Sequence, residues 1–279
     1  MKMPPAQNNF KLKILDLKFL DGKASWDMDD LILEPFAGWV RLTLNRPAAR
    51  NALNTRLLSR LADVLDGLAR DTSCRAVLLC GSDGNFAAGA DITEIETKTS
   101  AEGAEDPRKG FWGRIRAFPK PLVAAVDGFC LGGGFELALM ADFMVLGSTA
   151  KLGLSETNLG LIPGAGGAQR LLALAGRARA TRMVMLGEII DGATAEAWGI
   201  GGWRVDGSAL PEAEALCAKL AGRAPMALAA AKRAIIQGDE TSLAFETERN
   251  AFEALLDSAE KAEGIAAFRA KRKPDFTGL

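Results

Sequence analysis

Two glutamates, Glu136 and Glu156, stand in apolar, glycine-rich surroundings in a chain of 279 residues that contains no histidine. The first lies in Gly-Phe-Cys-Leu-Gly-Gly-Gly-Phe-Glu-Leu-Ala-Leu (128–139). The second lies in Leu-Gly-Leu-Ser-Glu-Thr-Asn-Leu-Gly-Leu-Ile-Pro-Gly-Ala-Gly-Gly (152–167). Apolar walls disfavour the charged form of a carboxyl group and raise its pKa. Such a group gives and takes protons near neutral pH, which is the requirement of general acid–base chemistry. With histidine missing, carboxylates are the candidates for that work.

The same absence removes Ser-His-Asp and Cys-His catalysis, H-E-x-x-H metalloproteases and histidine-ligated haem. The four cysteines, Cys74, Cys80, Cys130 and Cys217, form no C-x-x-C pair and have no histidine to share a zinc site with; they read as buried free thiols. Thirty-four basic residues against 35 acidic give a net charge of −1, which argues against nucleic acid as the main partner. No apolar run reaches the roughly 20 residues that span a bilayer. The opening residues lack the apolar core of a signal peptide, so the expected setting is cytoplasmic, with no membrane partner.

The elements that must position the glutamates alternate between strands and helices. Leu31–Leu33 and Trp39–Leu44 have the pattern of half-buried strands, with a turn at Ala37-Gly38. Leu57, Leu58, Leu61, Val64, Leu65 and Leu68 recur at helical spacing behind Asn54 or Thr55 as N-cap. Ala76–Cys80, Leu122–Val126 and Phe143–Leu146 are short apolar runs of a buried sheet covered by helices, an α/β arrangement. Beyond about residue 207, the segments 209–222, 225–237, 242–257 and 259–270 read as consecutive amphipathic helices. We therefore divide the chain into an N-terminal extension (1–30), a core (31–207) and a C-terminal helical region (208–279).

Neither common phosphate motif is present. There is no G-x-x-x-x-G-K-[ST], and Gly164-Ala-Gly166-Gly167-Ala-Gln169 lacks the third glycine of a dinucleotide loop. Gly132-Gly133-Gly134 before Phe135-Glu136-Leu137-Ala138 reads instead as a helix start, whose backbone N–H groups point outward. The loop Ala87-Ala88-Gly89-Ala90-Asp91 offers another N–H. Two converging N–H groups would make an oxyanion hole for an enolate or a tetrahedral intermediate. The competing reading, that these glycines only permit tight turns, weakens when two such loops accompany two glutamates in apolar contexts.

Five segments in order carry a resemblance. They are Arg-Pro-Ala-Ala-Arg-Asn-Ala-Leu-Asn (46–54), Asn-Phe-Ala-Ala-Gly-Ala-Asp-Ile (85–92), Lys-Pro-Leu-Val-Ala-Ala-Val-Asp-Gly (120–128), Gly-Gly-Gly-Phe-Glu-Leu-Ala (132–138) and Ser-Glu-Thr-Asn-Leu-Gly-Leu-Ile-Pro-Gly-Ala-Gly-Gly (155–167). The Lys-Arg-Lys-Pro-Asp-Phe ending (271–276) also fits. From about Trp39 to the C-terminus the chain resembles the enoyl-CoA hydratases of the crotonase superfamily. The resemblance implies a spiral of ββα units with a helical C-terminal part that drives trimer formation, often as a dimer of trimers. It implies an acyl-CoA thioester as substrate and partner, with no separate cofactor, because coenzyme A arrives on the substrate. The thioester oxygen would rest on the N–H groups of Ala90 and Gly133. Arg50, Ala52, Ala88, Asp91 and Ile92 match CoA- and acyl-contacting positions, and Gly164 matches a position near the reacting water.

Members of this superfamily run several reactions on one scaffold, so the choice rests on the carboxylates. Keeping both Glu136 and Glu156 favours hydration: Glu136 would deprotonate water at C3, Glu156 would deliver a proton to C2, and the two would titrate as a pair. The alternatives are an enoyl-CoA isomerase using Glu156, another acyl-CoA-processing member, or a non-catalytic member that binds RNA or a thioester. Phe111, Trp112 and Ile115 are expected to line the acyl pocket, and Met183 and Met185 to lie in the core or that pocket. The basic residues Arg269, Lys271, Arg272 and Lys273 are divided between a solvated helix end and a contact for CoA phosphates.

Overall fold

In the computed structural model, the expected hairpin forms about Ala37-Gly38. The structure describes residues 26–27, 30–239, 249–250, 252–272 and 274. Most of the 1–30 extension, residues 242–248 of the third C-terminal helical segment, Lys273 and residues 275–276 lie outside the described residues. β1 (Trp26–Asp27) is an edge strand antiparallel to β2 (Leu31–Phe36). β2 pairs antiparallel with β3 (Trp39–Leu44) in a register that sets Phe36 opposite Trp39, and their rings stack at 4.1 Å.

From β3 onward the large sheet is parallel. Its further strands are β4 (Ala76–Gly81), β5 (Leu122–Val126), β7 (Phe143–Leu146) and β10 (Trp203–Arg204). A small sheet lies beside it, made of β6 (Phe129–Leu131), β8 (Lys151–Gly153) and β9 (Ile190–Asp191). The central parallel strands hand the chain to this second layer. β5 leads into β6, β7 leads into β8, and after β4 the chain reaches Ala87, which bridges Cys130 of β6. The ββα spiral is this repeated step.

Alternation along the strands divides the core in two. Val40, Leu42, Leu44, Val77, Leu79, Leu122, Ala124 and Val126 face one side and join the helix Thr55–Arg70. Trp39, Ala76, Leu78, Cys80, Val123 and Ala125 face the other and join Ala213, Cys217 and Leu220 of the helix Leu210–Ala221. A parallel sheet covered on both faces needs apolar residues on both, which is why its strands read as continuous runs. Asn54 caps the first helix, its side chain accepting the N–H of Leu57 at 2.8 Å. Leu57, Leu61 and Leu65 of that helix are at most 1% exposed, and burying each contributes roughly 1.5–3 kcal/mol. All four cysteines are buried and free, and burial pushes the Cys74 thiol up to about 12.

The helices Pro225–Asp239 and Ala259–Arg269 follow as expected. Others went unread in the sequence. Ile92–Ile95, Ser100–Ala104 and Arg108–Arg116 lie between β4 and β5, and Gly167–Met185 lies after the second glycine-rich segment. The last is kinked at Gly176, whose φ of 76° leaves the helical region.

Candidate active site

The bridge between Leu53 and Ala90 decides where one amide points. Leu53 N–H donates to the Gly89 carbonyl at 2.8 Å, and Asp91 N–H donates to the Leu53 carbonyl at 3.0 Å. In a parallel bridge the flanking groups make both bonds, so the N–H of Ala90 itself faces the other way. Gly133 is the first residue of the helix Gly133–Ala138, where the N–H has no partner within the helix. A Cβ placed on Gly133 would lie 3.5 Å from the Ala90 nitrogen, so the two amides are neighbours. Gly134 lets this helix start so close: a Cβ there would meet the Ala87 carbonyl oxygen at 2.4 Å.

Glu156 reaches the same place through the small sheet. β6 pairs with β8 so that Leu131 sits opposite Gly153, and Gly132 N–H donates to the Gly153 carbonyl at 2.8 Å. Three residues later Glu156 opens a 3₁₀ turn, and a Cβ on Gly132 would lie 3.0 Å from its Oε1. Gly132 has a φ of 49°, a conformation suited to glycine.

Glu136 is 3% exposed. Burial raises its pKa, opposed by backbone N–H groups of the 164–167 loop and by the charge of Arg170. Ala165 N–H and Gly167 N–H donate to its Oε1 at 2.7 and 3.0 Å. Gly167 packs tightly here: a Cβ would press on the Glu136 Cγ at 3.0 Å. Arg170, itself buried, donates from Nη1 to the Ala165 carbonyl at 2.8 Å and so ties down the loop that grips the carboxylate.

A cavity of about 110 Å³ brings together Ala88, Ala90, Ile92, Gly133, Glu136, Glu156 and Gly164, seven of the ten residues singled out from the sequence. The other three are placed differently. Asp91 caps the helix Ile92–Ile95 and forms an ion pair with Arg46 at 2.8 Å; Arg46 in turn donates to the Ala52 carbonyl. Arg50 is exposed, with a φ of 48° and its guanidinium 5.1 Å from the Phe129 ring centre. Trp112 lines the cavity, but Ile115 is in the core and Phe111 packs against it. Met183 is fully buried, whereas Met185 is 68% exposed and belongs to neither core nor pocket. Arg269 and Arg272 pair with Glu96 and Glu263. A larger cavity of about 440 Å³ contains the Lys232–Asp142 ion pair and neither glutamate.

Sequence reasoning missed Arg108, Arg249 and Phe252 on the cavity wall, and Arg170 behind Glu136. The first three come from segments with no motif; Arg170 directly follows the glycine loop and was readable as a cation near a buried acid.

Residues 36–279 match the family model described as enoyl-CoA hydratase/isomerase. The chain is 43% identical to the 2,3-dehydroadipyl-CoA hydratase of Escherichia coli, over 90% of this chain and 100% of that one. It is 42% identical to a probable enoyl-CoA hydratase of Rhizobium meliloti, over 84% and 93%. The crystal structure of an enoyl-CoA hydratase from Mycobacterium avium subsp. paratuberculosis superimposes with a TM-score of 0.79 at 31% identity, covering 89% of this chain and 98% of that one. The chain belongs to the enoyl-CoA hydratase/isomerase family of the crotonase superfamily. It is an enzyme of the hydro-lyase kind.

Proposed function

We propose that the chain catalyses the reversible syn addition of water to a 2-trans-enoyl-CoA, giving the 3-hydroxyacyl-CoA. The observation that carries this reading is the joint presence of Glu136 and Glu156 on one cavity with the amides of Ala90 and Gly133. In this mechanism the two N–H groups polarise the thioester carbonyl and hold the enolate-like transition state, each contributing about 2.7–4 kcal/mol. Glu136, its charged form held at a cost by burial, takes a proton from water as it attacks C3. Glu156 gives a proton to C2. The ion pair of Asp91 with Arg46 steadies the loop that presents Ala90. No metal or redox group takes part.

The same proposal has the enzyme working in the cytoplasm as a homotrimer or dimer of trimers, with acyl-CoA as its partner. Among the described residues no helix is long and apolar enough to cross a membrane. Sedimentation analysis of the purified chain tests the assembly. Loss of the conjugated thioester absorbance on adding 2-trans-enoyl-CoA tests the reaction, and a 3-enoyl-CoA tests isomerisation. Conversion of the 3-enoyl substrate without hydration of the 2-enoyl one sinks the hydratase reading.

A further inference from the structure

The cavity wall is mostly apolar, through residues such as Leu53, Leu58, Ile95, Trp112 and Phe252, yet Arg108 and Arg249 also line it. Arg108 is 4% exposed. A charge so far from water is costly unless it is paired. Its Nε and Nη2 lie 2.9 and 2.7 Å from Oδ2 of Asp106, while Glu94 stands 3.9 Å from Nη1, too far for a hydrogen bond. Arg249 lies over the Phe252 ring at 5.0 Å, with Nε donating to Glu253 at 2.9 Å and Nη2 to the Gly103 carbonyl at 3.3 Å.

Their acidic partners are shared. Lys98 also binds Asp106, at 2.6 Å, and Lys109 also binds Glu253, at 2.7 Å. Asp106 is thus shared, among the described residues, by Arg108, Lys98 and, at 3.9 Å, Arg249, while Glu253 is shared by Arg249 and Lys109. Among the described residues, neither Nη1 donates a hydrogen bond to the protein. A purely hydrocarbon chain would desolvate these groups and return nothing. A carboxylate would meet them with matching fork geometry.

We propose that Arg108 and Arg249 form a carboxylate subsite for the far end of the acyl chain, which makes the enzyme selective for enoyl-CoA substrates whose chain ends in a carboxylate. This inference rests on the reading of the cavity as an enoyl-CoA site.

The test compares two 2-trans-enoyl-CoA substrates of equal chain length, one ending in a carboxylate and one in a methyl group. Calorimetric binding of the two corresponding saturated acyl-CoAs accompanies it. The expected ratio of kcat/KM favours the carboxylate chain by at least roughly tenfold, the least expected of a charge-assisted hydrogen bond. The difference lies in KM. The ratio falls toward one in Arg108→Met and Arg249→Met and is partly restored in Arg249→Lys. Being internal to each variant, it survives a general loss of rate, and Arg249→Met reads it should Arg108→Met not fold. A wild-type ratio near one, or a ratio kept in both methionine variants, overturns the subsite and leaves hydration standing. No hydration of either substrate overturns the reaction instead; the calorimetric preference of the wild type then decides the subsite by itself.

Discussion

Gly132 leaves Glu156 just enough room: one added carbon on that glycine would stand 3.0 Å from Oε1 of the glutamate. The crowding follows from the pairing of β6 with β8, which brings Gly132 against Gly153 and carries Glu156 past it. The separation of the proposed acid from the oxyanion amides is therefore set by main-chain register.

Gly132→Ala tests that relationship. Its backbone conformation alone should cost about 1–3 kcal/mol of stability. The new methyl group also displaces the Glu156 carboxylate, so kcat for hydration should fall well beyond what the lower melting temperature explains. A variant that loses stability but keeps full kcat at a temperature where it is folded would show that the position of Glu156 is not under this control.

Glu136→Gln and Glu156→Gln should each lower kcat by about 10²–10⁴, the usual range for a lost acid or base. Binding of a saturated acyl-CoA should change little. Because the two groups act together in one addition, the double variant should be scarcely slower than the worse single variant. Multiplying losses in the double variant would mean that the glutamates act independently.

Stability should pay for this arrangement as a function of pH. Burial raises the folded-state pKa of Glu136 above its ordinary 4.5. The folded chain then binds more protons than the unfolded one between those two values, so stability drops as pH climbs through that window and stays lowered above it. Glu136→Gln has no such charge to bury. Its melting temperature relative to wild type should rise as pH climbs above 4.5; a difference independent of pH would contradict the cause assigned to the shift.

Asp91 works in the opposite sense. Burial would raise its pKa, but hydrogen bonds from Thr93 and Arg46 outweigh this and hold it below the ordinary 3.8. An acid with a lowered folded-state pKa adds stability above its ordinary value, and that stability is lost as pH falls through the lowered one. Asp91→Ala should be destabilised at neutral pH, and the gap to wild type should narrow in melting curves recorded toward pH 3.

Legibility in the sequence followed the range of the signal. The runs Ala76–Cys80 and Leu122–Val126 stood out because a sheet covered on both faces demands unbroken apolar residues, and the leucines of the first helix kept strict helical spacing. The helix Gly167–Met185 was missed because Gly176 breaks it: the buried positions Gly167, Arg170 and Leu171 before the kink are out of phase with Ala180 and Met183 after it. Seven of ten site residues converge because glycine-rich motifs mark close backbone approaches. Arg249 and Phe252 reach the cavity from a segment far along the chain, and such a contact leaves no trace in local spacing. Met185 was misjudged because a large apolar residue at a helix end carries no sign of which face it presents.

The bridge from Leu53 to Ala90 has a consequence for how this chemistry is inherited. The electrophilic device belongs to the path of the chain and not to any letter at position 90 or 133. Exchanging either residue for another small one keeps the donor; only an imino acid deletes it. A protein built this way can rewrite the walls of its pocket, and with them its choice of acyl group, while the part that activates the thioester goes unaltered.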